Sequence, residues 1–251
     1  MTKKIINPPT KHTKSPTLFL GLGVVLSGLT ATVNATETSP FTTKVSTGLF
    51  YSNGQSETID TSDSTTTSVP LMISIKKDRL SVGLSTAYLS VDSDAYNADG
   101  MGDTTFSVGY ELTESPWLTL KIKEKFATGD ETQGLSTGEN DTSIQLDYFY
   151  PLESNTSVFA SIGHKLVGKV GGVAMQDTNY ASVGVGYIYP NKTNIGTSLD
   201  YRQSIFKNLD DQVGASIFVT KPLTKTYSIS AFGGYDSTQT STAGFTLTTK
   251  F

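Results

Sequence analysis

The sequence contains no cysteine and, after residue 35, no long apolar run. The missing cysteine excludes disulfides and thiolate metal sites within this chain. The missing apolar run disfavours a membrane-spanning helix, which needs about 20 such residues. Basic residues are also few. Since residues 1–35 hold four lysines and no acidic residue, the rest of the chain has 15 basic and 23 acidic residues, a net charge of −8. This acidic balance argues against a nucleic-acid partner.

The first 35 residues have the composition of a secretory signal peptide. A basic segment precedes a short apolar run at 18–29, and Val33 and Ala35 supply the aliphatic and small side chains that a cleavage site needs. The apolar run is too short to span a membrane as a helix, although a signal anchor is the alternative. The basic residues are Lys3, Lys4, Lys11 and Lys14. We therefore predict a signal peptide at 1–35, cleaved after Ala35, and export of residues 36–251.

Apolar side chains recur at alternate positions along most of the exported chain. Because successive strand residues point to opposite faces, such alternation predicts strands with one apolar face. The opposite face carries Gly, Ser, Thr and charged residues, and lengths near ten residues suit tilted spanning strands. The twelve stretches are 41–52, 65–76, 80–91, 102–113, 117–128, 142–151, 156–168, 178–189, 193–203, 211–221, 226–236 and 242–251. We predict an all-β fold, a transmembrane antiparallel up-and-down β-barrel of about 12 strands over residues 36–251.

The connections between these stretches alternate in length. Short turns, most of them with proline, alternate along the chain with longer polar segments as the connections between consecutive strands. The long segments are 53–64, 92–101, 129–141, 168–177, 204–210 and 237–241. Bacterial outer-membrane barrels combine short periplasmic turns with long outer loops in this way. An even strand count places both termini in the periplasm. The alternative, a soluble β-sandwich, would not sort its loops by length so regularly.

The last stretch predicts how the barrel is assembled. Phe245, Leu247 and Phe251 share one face of the strand at 242–251, with Thr and Lys on the other. The pattern resembles the C-terminal signal that the barrel-assembly machinery of the bacterial outer membrane reads. We therefore expect that machinery as a partner during biogenesis, outer-membrane lipid as a partner afterwards, and the cell outer membrane as the location.

Charged residues that lie on the polar, inward face of their stretch are the candidate lumen residues. Lys121, Lys123 and Lys125 share the polar face of one stretch, and simple register would bring Asp147 near Lys123. Such opposed charges either brace the lumen or form a constriction that sets solute preference. The full candidate set is Glu111, Lys121, Lys123, Lys125, Asp147, Asp200 and Arg202. Glu124 is an exception with outward parity, and a β-bulge or an early strand end would remove it from lipid.

Two segments resemble an outer-membrane transporter family named for the MetA pathway of phenol degradation. The first is Gly100-Met101-Gly102-Asp103, which opens a strand ending in Tyr110; the second is Thr128-Gly129-Asp130 followed by Gly134 to Asp141. The resemblance implies a barrel that carries hydrophobic or aromatic compounds, and it supplies no binding residues. The alternative interpretation is that Gly and Asp occur in these segments only because they form turns. A Ca²⁺ site among Asp130, Glu131 and Asp141 is the other reading, although acidic loops are usually only solvated.

Catalysis has little support in the sequence. His164 falls on the outward face near the outer rim, where a lipid-modifying hydrolase would place a His beside a nucleophilic Ser. No serine stands out as its partner, so we expect no enzyme, cofactor or metal. The predicted function is passive passage of small solutes, hydrophobic or aromatic ones among them, through an outer-membrane barrel. A structural or surface-interaction barrel without a conducting pore is the alternative.

Overall fold

The computed structural model describes residues 41–55, 63–93, 97–152 and 155–251, so the predicted signal peptide lies outside the described residues. Strands dominate this part of the chain, with no helix in it. The strands are β1 Thr42–Gly54, β2 Ser64–Lys77, β3 Leu80–Ser93, β4 Asn97–Met101, β5 Thr104–Glu114, β6 Trp117–Phe126, β7 Asp141–Pro151, β8 Thr156–Leu166, β9 Thr178–Ile188, β10 Asn194–Arg202, β11 Gln212–Pro222, β12 Tyr227–Asp236 and β13 Ser241–Lys250. Within the described residues, no helix is long and apolar enough to cross a membrane.

The strands close into a barrel. Apart from β4 and β5, consecutive strands pair antiparallel, and β1 closes the sheet by pairing with β13, with Leu49 opposite Phe245. Strands β4 and β5 both pair with β3, so they occupy one position in the barrel. The result is a closed barrel of 12 strand positions, which confirms the predicted all-β, antiparallel, up-and-down architecture.

Two details differ from the prediction. The segment 92–101 is not wholly a loop, because Asn97–Met101 pairs with the upper part of β3. Glu124 lies within a regular part of the β6–β7 ladder, opposite Thr142, so neither a bulge nor an early strand end removes it from the outer face. Instead, the Thr142 hydroxyl donates a hydrogen bond to its carboxylate at 2.6 Å. The register shift in this region lies between Glu111 and Thr113.

The outer face is an apolar band between two rings of aromatic side chains. Large apolar residues such as Ile162 and Leu199, each 62% exposed, cover its middle. The ring near the short turns consists of Phe41, Tyr110, Tyr150, Tyr187, Tyr189, Tyr227 and Phe251; the ring near the long loops consists of Tyr51, Tyr88, Phe126, Tyr201 and Tyr235. Phe41 and Tyr51 are ten residues apart, about 33 Å along a strand. At a tilt of about 40° this is roughly 25 Å along the barrel axis, the height of a membrane barrel's apolar band.

The inner face combines small polar residues with a few large aromatic ones. The large rings lie over glycines of neighbouring strands: a Cβ on Gly184 would fall 2.2 Å from the ring of Phe159, and one on Gly196 would fall 2.4 Å from the ring of Phe218. A side chain at either glycine would therefore displace a ring into the lumen. The rings of Phe159 and Phe218 therefore lie against the wall, because the glycines beside them have no side chain.

Candidate lumen site

The barrel encloses a cavity of about 790 Å³ lined by side chains from strands all around the wall. Toward the short-turn end, its lining is aromatic, with Trp117 stacked on Phe149 at a centroid distance of 5.2 Å and Phe159 directly opposite Phe149. Toward the long-loop end, Leu135 and Ile205 line the cavity. Charged side chains of β6 and β7 lie between these two parts.

The three lysines that share the polar face of β6 all line this cavity, and they have different partners. The Lys121 ammonium pairs with the Asp147 carboxylate at 2.6 Å, while Lys125 pairs with Asp103 at 2.9 Å and with Asp141 at 3.4 Å. Asp147 was expected near Lys123; its direct ion pair is with Lys121 instead, and it acts on Lys123 only at longer range. The observed register places Asp147 opposite Thr119, which brings it within reach of the lysine nearer the short-turn end.

Lys123 has a neutral partner. Its ammonium donates a hydrogen bond to Oε1 of Gln145 at 2.7 Å, and no carboxylate of the described residues lies within 4.0 Å of it. Gln145 is 1% exposed and both ends of its amide are bonded, since Oε1 also accepts from the Tyr180 hydroxyl at 3.0 Å and Nε2 donates to Asp147. Gln145 and Tyr180 were not among the residues predicted from the sequence.

Gly163 makes this arrangement possible. It lies opposite Gln145 on one side and opposite Tyr180 on the other. A Cβ at this position would fall 2.2 Å from Cζ of Tyr180, so the tyrosine ring lies flat across the glycine. The ring thereby reaches over β8 to Gln145 of β7. The sequence held one signal for this contact: Gly163 and Tyr180 both fall on the inward face, where a glycine leaves room for an aromatic ring from the next strand.

The two segments that carried the family resemblance contact each other. The Asp103 carboxylate accepts from the backbone N–H of Gly129 at 3.1 Å and from Lys125, and the Thr128 hydroxyl donates to the carbonyl oxygen of Gly102 at 3.4 Å. Lys125 also donates to the Thr137 hydroxyl at 3.3 Å. These contacts fix the loop at 127–140 over the long-loop end of the cavity, where its Leu135 is 2% exposed.

Acidic side chains in and beside this loop accept hydrogen bonds from other residues of the protein. Hydrogen bonds from Thr132 and Gln133 lower the pKa of Asp130, and Asp141 accepts from the backbone N–H of Gly168 at 3.0 Å. Within 41–55, 63–93, 97–152 and 155–251, no three His, Asp or Glu side chains form a group suited to a metal ion. Asp130 thus accepts hydrogen bonds from its own loop, and Asp141, at the start of β7, accepts one from Gly168.

The remaining predicted lumen charges lie elsewhere in the barrel. Glu111 pairs with Lys76 rather than with a lysine of β6, and it is not among the residues that line the cavity. Asp200 and Arg202 line the cavity from β10. Asp200 accepts from the Ser198 hydroxyl at 2.9 Å, and Arg202 donates to Oε1 of Gln212.

The other predicted residues face outward. The His164 ring nitrogen Nδ1 lies 2.8 Å from Oδ1 of Asn179, and its hydrogen-bond partner in the described residues is this amide rather than a serine. Phe245, Leu247 and Phe251 form part of the apolar outer face, with 46%, 42% and 71% of each exposed.

Comparison with known proteins concerns the fold. An outer-membrane channel from Pseudomonas putida F1 is similar with a TM-score of 0.64 and 16% identity, covering 86% of this chain and 97% of that one. The KdgM porin in complex with disordered oligogalacturonate is similar with a TM-score of 0.59 and 9% identity, covering 83% and 99%. The translocator domain of the autotransporter NalP from Neisseria meningitidis has a TM-score of 0.51 and 11% identity, covering 86% and 89%.

Sequence comparison adds no closer relationship. No family model matches the chain, and no curated protein matches it. At these low identities the structural likenesses show a shared barrel fold. Since channels and a translocator domain share that fold, function has to be argued from this chain's own lumen.

Proposed function

We propose that this protein is an outer-membrane β-barrel channel for passive passage of small solutes, hydrophobic or aromatic ones among them. The observation that carries the proposal is the combination of an outer apolar band between two aromatic rings and an inner cavity of about 790 Å³. The band matches the geometry of a barrel in lipid. The cavity gives the barrel room for a small molecule.

The same proposal covers location and assembly. An N-terminal signal peptide at 1–35 directs export, and outer-membrane lipid surrounds the apolar band. The barrel-assembly machinery recognises the terminal strand with Phe245, Leu247 and Phe251, and both termini lie in the periplasm. The short-turn end, where the backbones of Thr43 and Phe251 exchange two hydrogen bonds, then faces the periplasm.

The lumen lining supports passage of solutes with an apolar part. The aromatic side chains Trp117, Phe149 and Phe159 give the periplasmic half of the cavity an apolar surface, while Leu135 and Ile205 do the same at the outer end. The charged middle section is held by ion pairs and hydrogen bonds, so its side chains are positioned rather than free to collapse across the lumen. A small amphipathic solute meets matching surfaces along this path.

Liposome swelling tests the proposal. Proteoliposomes that contain the refolded barrel should swell in solutes of graded size and polarity, with rates that fall as the solute grows. Empty liposomes and liposomes with heat-unfolded protein are the controls. Swelling at the rate of empty liposomes with every solute would instead favour a structural barrel without a conducting pore.

A further inference from the structure

We propose that Lys123, Lys165 and the ring of Tyr180 form a binding site in the lumen for the carboxylate and ring of a small aromatic monoanion. This inference rests on the proposed function, because the site selects solutes only if solutes reach the lumen. The charge state of the neighbouring side chains, the register of β6 to β9 and the position of the tyrosine ring carry the argument.

The first observation is an unbalanced positive charge. Lys121 and Lys125 each pair with a carboxylate at 3.4 Å or less, whereas the ammonium of Lys123 donates to the neutral amide of Gln145. The nearest carboxylate, that of Asp147, pairs directly with Lys121 and acts on Lys123 only at longer range. An ammonium that is largely removed from water without a carboxylate in contact is destabilised, and a bound anion offsets that cost. The partly filled hydrogen-bonding capacity of Lys123 leaves donors for such an anion, since an ammonium carries three.

The second observation is a second cation at the same level of the wall. Ser143 lies opposite Lys123 on one side and opposite Lys165 on the other, and all three side chains line the cavity. Two strand spacings separate the two lysine Cα atoms, about 10 Å in total. Two lysine side chains at this separation can converge on one carboxylate, with the serine hydroxyl between them.

The third observation is an aromatic surface beside these cations. The Tyr180 ring lies over Gly163, which is two residues from Lys165 on β8, or about 7 Å along the strand. Its hydroxyl is held by Gln145, which also holds Lys123. Gln145 therefore fixes the ammonium and the ring relative to each other, and a planar body attached to the bound carboxylate would stack on that ring.

The sole tryptophan of the chain provides the measurement. Trp117 is about 20 Å from Lys123 along β6, close enough for resonance energy transfer to a 2-aminobenzoyl group. The probe is 2-aminobenzoate, and 2-aminobenzamide is a neutral molecule of the same shape. Titration of the refolded barrel in detergent should give at least about tenfold tighter binding of the acid, which corresponds to about 1.4 kcal/mol. Raising the salt concentration should weaken this preference.

Matched variants assign the preference to the site. Lys123→Met should reduce the acid-to-amide preference to within about twofold, whereas Lys123→Arg, which keeps the charge, should retain it. Lys225→Met removes a lysine from a periplasmic turn and should behave as the wild type. Heat-modifiable gel migration confirms that each variant is folded. The site is refuted if the amide binds as tightly as the acid, or if folded Lys123→Met keeps the preference.

Competition separates the carboxylate from the ring. Benzoate should displace 2-aminobenzoate at concentrations at least about tenfold lower than galacturonate, a carboxylate on a non-aromatic sugar. Equal displacement by the two would overturn the aromatic part of the proposal. Because binding in detergent requires no conduction, tight binding with no swelling of proteoliposomes refutes the channel and keeps the site, while swelling with no acid preference refutes the site alone.

Discussion

Replacement of Gly163 by alanine should destabilise the barrel more than the loss of a glycine usually does. The added Cβ would fall 2.2 Å from Cζ and 2.4 Å from the hydroxyl oxygen of Tyr180, closer than any real contact. The ring must therefore leave the wall and lose its 3.0 Å hydrogen bond to Gln145. Overpacking costs about 1–3 kcal/mol and the lost hydrogen bond about 0.5–1.5 kcal/mol. We therefore expect a loss of about 1.5–4.5 kcal/mol in the free energy of unfolding.

Urea unfolding of the barrel in phospholipid vesicles measures this loss. Gly233→Ala is the matched control, because the nearest atom to a Cβ there is a carbonyl oxygen at an ordinary 3.6 Å. Tyr180→Phe should cost about 1 kcal/mol, since it removes only the hydroxyl. In the double variant Gly163→Ala, Tyr180→Ala the clash is gone, so its total cost should be smaller than the sum of the single costs. If Gly163→Ala is no more destabilising than Gly233→Ala, the packing argument for the lumen wall is wrong.

Three further predictions concern the lumen and the terminal strand. Lys125→Met leaves Asp103 and the buried Asp141 without their counter-ion, so it should cost about 3–5 kcal/mol and speed proteolysis within the loop at 127–140; unchanged proteolysis would contradict the anchoring role of Lys125. Lys123→Glu should shift single-channel selectivity toward cations, measured as the reversal potential across a salt gradient, whereas a wall residue without access to the conducting path would leave it unchanged. Phe251→Asp should allow export but cause periplasmic accumulation and degradation, measured by cell fractionation, and normal outer-membrane levels would count against the assembly signal.

The barrel was predictable because side chains of a strand alternate between its two faces, so that apolar and polar residues alternate along the sequence. An inward Ser or Gly beside an outward Val or Tyr shows which face each residue occupies. The predicted stretch 178–189, for example, begins where the observed strand Thr178–Ile188 begins and ends one residue later. The segment at 97–101 was not predicted as a strand, because its polar sequence Asn97-Ala98-Asp99-Gly100 lacks an apolar outer face. Its pairing with β3 comes from the partner strand rather than from its own pattern.

The candidate site was less predictable, for geometric reasons. Parity shows which way Lys123 points, but only the register shows which neighbour it reaches, and that register gives Asp147 to Lys121. Likewise, Asp103 was interpreted as a turn residue, and its carboxylate in fact joins Lys125 and the loop at Gly129. Contacts between distant loops and strands depend on where the strand at 104–114 begins, which local sequence does not determine.

Cysteine accessibility tests the central claim, that solutes pass through the lumen, most directly. The chain has no cysteine, so a single introduced thiol is the only target for a reagent. Ser182 lines the cavity, and its neighbour Val183 is 58% exposed on the outer face of the same strand and does not line the cavity. In planar bilayers, a negatively charged methanethiosulfonate reagent should reduce the current through Ser182→Cys and leave that through Val183→Cys unchanged. A current that persists unchanged in Ser182→Cys after complete modification would contradict a conducting path through this lumen.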